Sequence, residues 1–224
     1  MENFTKRAVT LFQEKLSRRS QKSETEALMD VNEKLRRELR KVQRDYQDLE
    51  EFIVWLNEKS INDKSRIYGI KRQPLDAADT YVGFLLSAKL SIVPERTYDY
   101  CIEGYTMYNR DEPVYRALLQ QQLSEIPMIG NKLHLEETYV KSEYMQNRGI
   151  GSAGLDMIKD LAKHLHCTSI TAKRTVMRNT RDDEQKQAEL QKLIHFYDKN
   201  GFSQSTDSEY IEFDMSNYQT PSNK

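Results

Sequence analysis

No glycine occurs before Gly69 and no proline before Pro74, so nothing in the first third of the chain interrupts a helix. From Leu28 the apolar positions run Leu28, Val31, Leu35, Leu39, Val42, Tyr46, Leu49, Ile53 and Leu56, at spacings of 3, 4, 4, 3, 4, 3, 4 and 3. That is a heptad seam with one stutter, between Leu35 and Leu39. Around it Lys34, Arg36, Arg37, Arg40, Lys41 and Arg44 form a basic block that abuts Asp45, Asp48, Glu50 and Glu51. Adjacent blocks of opposite sign suit antiparallel or staggered pairing of two such helices, and a solvated face of a single helix accounts for them equally well. The neighbouring acids argue against a nucleic-acid surface, because they repel phosphates. A shorter amphipathic stretch, Phe4 to Leu16, precedes a hinge expected over Ser17 to Ser23.

The whole chain is nearly neutral: 34 Lys and Arg against 35 Asp and Glu give a net charge of −1, so partners must be argued locally. Only 38% of residues are hydrophobic and 31% are charged, which fits an exposed helical arm joined to one compact domain. The two cysteines, Cys101 and Cys167, are too few for a disulfide framework and suit a reducing compartment. No apolar run spans a bilayer, and the opening residues carry Lys6, Arg7, Lys15, Arg18 and Arg19 without a signal-peptide core. A cytoplasmic protein without a membrane partner is expected.

From about Arg66 the pattern changes to strands. Thr80 to Ile92 and Tyr98 to Tyr108 read as a hairpin around Pro94 and Glu95, Glu112 to Ile126 as helical or irregular, and Leu133 to Val140 as a strand. A helix over Gly151 to His166, a strand over Thr168 to Lys173, a helix over Glu184 to Lys199 and a strand over Tyr210 to Met215 complete the series. The expected layout is an arm over residues 1–65, an α/β domain with a mixed central sheet over 66–215, and a loose tail over 216–224.

The informative segment is Leu133 to Leu155, LHLEETYVKSEYMQNRGIGSAGL. It places Gln146, Asn147, Arg148, Gly149, Ile150, Gly151 and Ser152 at a strand-to-helix turn, where backbone N–H groups and the helix dipole favour an anion such as a pyrophosphate. No Lys-Ser or Lys-Thr follows the glycines, which excludes a P-loop, and the context is not that of a dinucleotide site. His164, His166 and Cys167 lack the second pair a metal centre needs, Cys101 and Cys167 show no nucleophile arrangement, and Ser152 sits in no nucleophile elbow.

Gln146-x-x-Gly149-x-Gly151 resembles the Q/R-x-x-G-x-G/A acyl-CoA signature of the GNAT superfamily of N-acetyltransferases. The preceding E-E-T-Y-V and the distant HFYDKNGF from His195 to Phe202 are similar to that family's fourth strand and its F-Y-x-K-x-G-F element. The resemblance covers roughly Arg66 to Met215. It implies a sheet splayed between the family's fourth and fifth strands, with acetyl-CoA in the cleft. Amides from Arg148 to Ser152 would hold the pyrophosphate, and the backbone around Tyr139 and Val140 the pantetheine. It implies acetyl transfer to an amine by direct attack in a ternary complex, with Tyr197 as the acid. A phenol, ordinarily titrating near 10, stays protonated until a thiolate of pKa about 8.5 appears beside it. For the base, regular alternation puts Glu137 with Leu133, Leu135 and Tyr139, and Glu136 with His134 and Thr138, and a bulge would exchange those faces. Glu136, Glu137 and water all remain open. The family's asparagine after its fifth strand has only Asn179, too far upstream of Tyr197, as a counterpart. Lys173, Arg174, Arg178 and Arg181 are alternative phosphate ligands. Glu103, Glu136, Glu137 and Glu143 would favour a cationic amine if they face the cleft. The arm, over residues 22–60, would pair with a second copy or dock a partner protein. The rival reading is a non-catalytic CoA-binding or coiled-coil scaffold.

Overall fold

A computed structural model describes residues 2–75, 78–91, 97–122, 130–141, 148–173, 183–205 and 209–218. Helix α1 (Glu2–Asn62) opens the chain, as the missing glycines and prolines require. It is continuous through Ser17 to Ser23, so the expected hinge is absent; Ser, Arg, Gln and Lys are all tolerated in a helix interior. The chain forms two compact units, Met1–Glu51 and Phe52–Lys224. In the first, Leu28, Val31, Leu35, Leu39, Val42 and Tyr46 are 55 to 65% exposed. Arg37 and Glu33 form an ion pair one turn apart there. In the second, Phe52 and Leu56 are fully buried, so the last turns of α1 belong to the core of the mixed domain.

Eight strands follow in one sheet: β1 (Arg66–Leu75), β2 (Ala78–Ser91), β3 (Thr97–Thr106), β4 (Tyr115–Gln122), β5 (Asn131–Val140), β6 (Cys167–Lys173), β7 (Ser203–Gln204) and β8 (Tyr210–Asp214). Their order is β1-β2-β3-β4-β5-β6-β8-β7, antiparallel except for the β5–β6 pair. Helix α2 (Ile150–His164) makes that parallel crossover, and α3 (Asp183–Lys199) connects β6 to the β7–β8 hairpin. The β2–β3 hairpin is as expected. Residues 115–122, expected to be helical or irregular, form β4 instead. Its Leu118-Leu119-Gln120-Gln121-Gln122 run has little strand preference of its own, and pairing on both edges imposes the conformation.

Residues directly opposite in the ladder share a face. Phe84, Gly104, Tyr115 and Val140 lie on one face, and α2 covers it with Ile150, Ala153, Leu155, Ile158, Leu161 and Ala162, a period-3.6 apolar stripe. A Cβ on Gly154 would stand 2.2 Å from the Tyr115 ring, so only glycine lets helix and sheet approach this closely. On the opposite face Leu56 seats over Gly83, and the Trp55 ring meets Tyr105 edge-on at 5.4 Å. Among the described residues, no helix is long and apolar enough to cross a membrane.

Candidate active site

Among the described residues, the ladder between β5 and β6 covers only the first half of β5. Their parallel ladder runs from Asn131↔Cys167 to Leu135↔Ala172 and stops, while the β4 ladder continues to Val140↔Tyr115. Glu136 to Val140 therefore have a paired edge toward β4 and, among the described residues, an open edge toward β6. The Lys141 N–H donates to the Val114 carbonyl on the β4 side, 2.9 Å, so alternation turns the Val140 N–H and C=O toward the open edge. That edge is where the resemblance implies a splay between the family's fourth and fifth strands.

The opening of α2 borders this split. Gly149 is its N-cap, with φ 78° and no side-chain cap, a left-handed conformation that glycine adopts without strain. A Cβ there would fall 2.7 Å from Gln73 Oε1, and one on Gly151 would fall 3.1 Å from the Phe196 ring and 3.7 Å from Val140 Cγ2. The two glycines thus draw the helix start against β1, α3 and the end of β5. First-turn amides have no intrahelical acceptors and carry the positive end of the dipole. Ile150 is fully buried and anchors the turn, whereas Arg148, Gly151 and Ser152 are partly exposed. A glycine cradle that a Cβ would fill, at an uncapped helix start, fits the pyrophosphate of acetyl-CoA. Gln146 and Asn147 lie outside the described residues.

Tyr197 reaches the same region from α3. It is 3% exposed, between the rings of Phe196 (5.4 Å) and Phe202 (5.1 Å), and burial pushes its phenol well above the ordinary tyrosine value. The fully buried Tyr115 phenol is also pushed up by burial, and it lies near enough to Tyr197 for their charges to interact. Thr138 Oγ1 donates to Tyr115 Oη at 3.2 Å. The two phenols are thus held neutral on the α2 side of the sheet, next to the split. A cavity of about 390 Å³ between α3 and the β7–β8 hairpin, lined in part by Ile194, Asp198, Ser203 and Ile211, also touches Tyr197.

The glutamates are placed differently from regular alternation. Leu118 pairs with Glu137 and Leu119 with Leu135, leaving Glu136 as the extra residue of a β-bulge. The bulge moves Glu137 onto the face of His134, Tyr139 and Arg116, away from Leu133 and Leu135, and moves Thr138 and Val140 onto the α2 face. Glu136 is exposed and its Oε1 lies 3.6 Å from His134 Nε2. Glu103 accepts from Tyr105 Oη (3.0 Å) and pairs with Arg116 (3.5 Å). Lys173 is exposed; Glu143, Arg174, Arg178, Asn179 and Arg181 lie outside the described residues.

Sequence reasoning passed over four residues that border the split: Gln73, Tyr115, His134 and Thr171. Their partners are distant in the chain, as in the 2.8 Å bond between His134 Nδ1 and Thr171 Oγ1, so no local spacing marks them. No cluster of three metal-ligating side chains occurs among the described residues. Burial raises the Cys101 thiol and takes that of Cys167 up to about 11, which leaves neither a ready nucleophile.

Residues 30–202 match the model of the acetyltransferase (GNAT) family. The chain belongs to that family. It is an acyl-CoA-dependent N-acetyltransferase, with acetyl-CoA as the acetyl donor and an acceptor that membership leaves unspecified. Among solved structures it is similar to a putative GNAT acetyltransferase from Desulfovibrio desulfuricans, at 12% identity over 52% of this chain and 69% of that one, TM-score 0.38. It is also similar to a NatC complex bound to Gag peptide and CoA, at 13% identity over 52% and 70%, TM-score 0.37. A third likeness is to nourseothricin acetyltransferase, at 11% identity over 70% and 94%, TM-score 0.36. These are distant likenesses, and membership of this acetyltransferase family rests on the sequence match. Comparison with curated proteins finds no match.

Proposed function

We propose that this acetyltransferase passes the acetyl group directly to a primary amine in a ternary complex, with no covalent enzyme intermediate. The observation that carries the reading is the split between β5 and β6 beside the glycine-built start of α2. In it, amides from Arg148 to Ser152, with Gln146 and Asn147 preceding them, hold the pyrophosphate. The backbone at Tyr139 and Val140 lines the pantetheine, with Val140 supplying the N–H and C=O that face the open edge. Tyr197 protonates the departing thiolate; its position beside Phe196, whose ring lies against Gly151 at the start of α2, supports this. Glu136 and Glu137 belong to the acceptor's side, where carboxylates favour an ammonium. Calorimetry with acetyl-CoA tests the site. Binding at micromolar affinity, about −8 kcal/mol, that Gly149→Glu abolishes supports it; equal binding by both proteins removes it. A screen of amines then tests the acceptor class.

A second reading concerns α1. The exposed apolar row from Leu28 to Tyr46 favours pairing of residues 22–60 as a coiled coil, with a second copy or with a partner protein. Removing residues 1–51 should turn a dimer into a monomer by light scattering and leave a folded domain, because Phe52 and Leu56 remain; an unchanged number of protomers excludes self-pairing. Two free cysteines suit a cytoplasmic setting for the enzyme.

A further inference from the structure

His134 lies near the end of the described β5–β6 ladder. It sits opposite Thr171, one rung before Leu135↔Ala172, the last described pair of the β5–β6 ladder. Its side chain is on the face away from α2, whereas Tyr197 and Tyr115 are on the α2 face. An acid for the leaving sulfur and a base for the incoming nitrogen cannot be one group, and the sheet offers one on each side of the split. Nδ1 lies 2.8 Å from Thr171 Oγ1, and the ring rests against Tyr210 at 5.5 Å, so two strands fix its orientation. The bulge swings Glu136 out of the ladder so that its carboxylate reaches 3.6 Å from Nε2. That is too long for a hydrogen bond. The same face carries Lys132, Glu137 and Tyr139 of β5, Arg116 and Gln120 of β4, the latter bonded to Asp99, Lys173 of β6, and Glu212 of β8, which stands opposite Thr171.

We propose that His134 is the general base of the transfer, an assignment that rests on the amine-acceptor reading above. With the Nδ1 proton donated to Thr171 Oγ1, Nε2 carries the lone pair. It takes one proton from the acceptor ammonium, and the freed nitrogen adds to the acetyl carbonyl carbon. As the C–N bond stays and the C–S bond breaks, the thiolate takes the Tyr197 proton. Of the ammonium's three protons, one remains on the amide, one leaves through His134, and one restores Tyr197. Glu136, on the Nε2 side of the ring, faces the ammonium as it approaches.

Nitrogen-15 NMR on the full-length protein reads the tautomer without any acceptor. The proton is expected on Nδ1, and a proton on Nε2 of the neutral ring overturns the assignment. His134→Gln is then compared on two probes, spermine, an ammonium at neutral pH, and hydroxylamine, already a free base there. The variant should lose about 10²- to 10⁴-fold in turnover with spermine, nearly nothing with hydroxylamine above its uncatalysed background, and no acetyl-CoA affinity. Equal losses on both probes, or none, refute the role. If His134→Gln does not fold, Thr171→Val keeps the imidazole and should move the ring proton off Nδ1 with a smaller loss on spermine; an unmoved proton counts against the arrangement. A wild-type enzyme that binds acetyl-CoA and acetylates neither probe contradicts the amine reading, and the tautomer still decides His134.

Discussion

The two halves of β5 have similar length and the same neighbour in β4, yet they do different work. Asn131 to Leu135 is paired on both edges, and Leu133 and Leu135 are buried under α2. Among the described residues Glu136 to Val140 is paired on one edge only, and Tyr139 is 37% exposed. A strand paired on both edges has satisfied its backbone and stabilises the fold. A strand left open by a diverging neighbour keeps unspent donors and acceptors, which is what a ligand with amides of its own can use. Substitutions should therefore separate stability from activity along a single strand and its borders.

The largest effect is expected at Tyr197. Tyr197→Phe keeps the ring among Phe196 and Phe202 and removes only the hydroxyl. Turnover should fall about 10²- to 10⁴-fold while acetyl-CoA affinity and thermal midpoint barely change. A matching loss of affinity would mean that Tyr197 shapes the cleft rather than donating a proton.

Next comes the closed half. Leu133→Ala should lower unfolding stability in urea by about 2–5 kcal/mol, because a fully buried leucine leaves a cavity between sheet and α2. The folded fraction should still bind acetyl-CoA with unchanged affinity. A loss confined to binding would erase the distinction between the halves.

A smaller effect is expected in alkali. Burial raises the phenols of Tyr115 and Tyr197, and burial with the nearby Asp160 charge takes Tyr68 to about 12. Below about pH 10 these groups are protonated in the folded and unfolded chains alike, so they leave stability flat. Above it the unfolded chain releases protons that the folded chain keeps, so stability falls as pH rises toward the folded values. Thermal midpoints and phenolate absorbance taken together should show unfolding ahead of ionisation. Phenolate appearing first, with the fold intact, would mean that the tyrosines are open to solvent.

Much of this architecture was legible in advance, and the exceptions share a cause. The long helix followed from missing breakers, but its seam continues alike through Leu39, which is exposed, and Leu56, which is buried, because apolar spacing does not say what lies opposite. The glycines of the α2 turn were legible since glycine has few uses besides close approach. Strand β4 was not, since its neighbours rather than its glutamines determine it. The bulge at Glu136 was the most consequential gap. One extra residue changes no composition or motif, yet it exchanges the faces of everything from Glu137 to Val140. His134 escaped for a related reason, because the threonine that orients it is on another strand.

The smallest effects test the open half itself. If pantetheine lies along β5 as an added strand, affinity comes from the backbone, and side chains there matter little. Tyr139→Ala should then shift neither stability nor acetyl-CoA affinity appreciably, since its backbone faces β4 and its ring is partly in solvent. Val140→Pro is the sharper change. By alternation from the Lys141–Val114 bond, the Val140 N–H is not part of the β4 ladder, so proline removes a donor that the fold does not use. Stability should be nearly kept, and binding should weaken by about 1 kcal/mol, roughly a fivefold rise in the dissociation constant, the net worth of one hydrogen bond. Full affinity in Val140→Pro would place the donor elsewhere than along this edge, and the opening between β5 and β6 would then be a consequence of the bulge with no ligand to explain it.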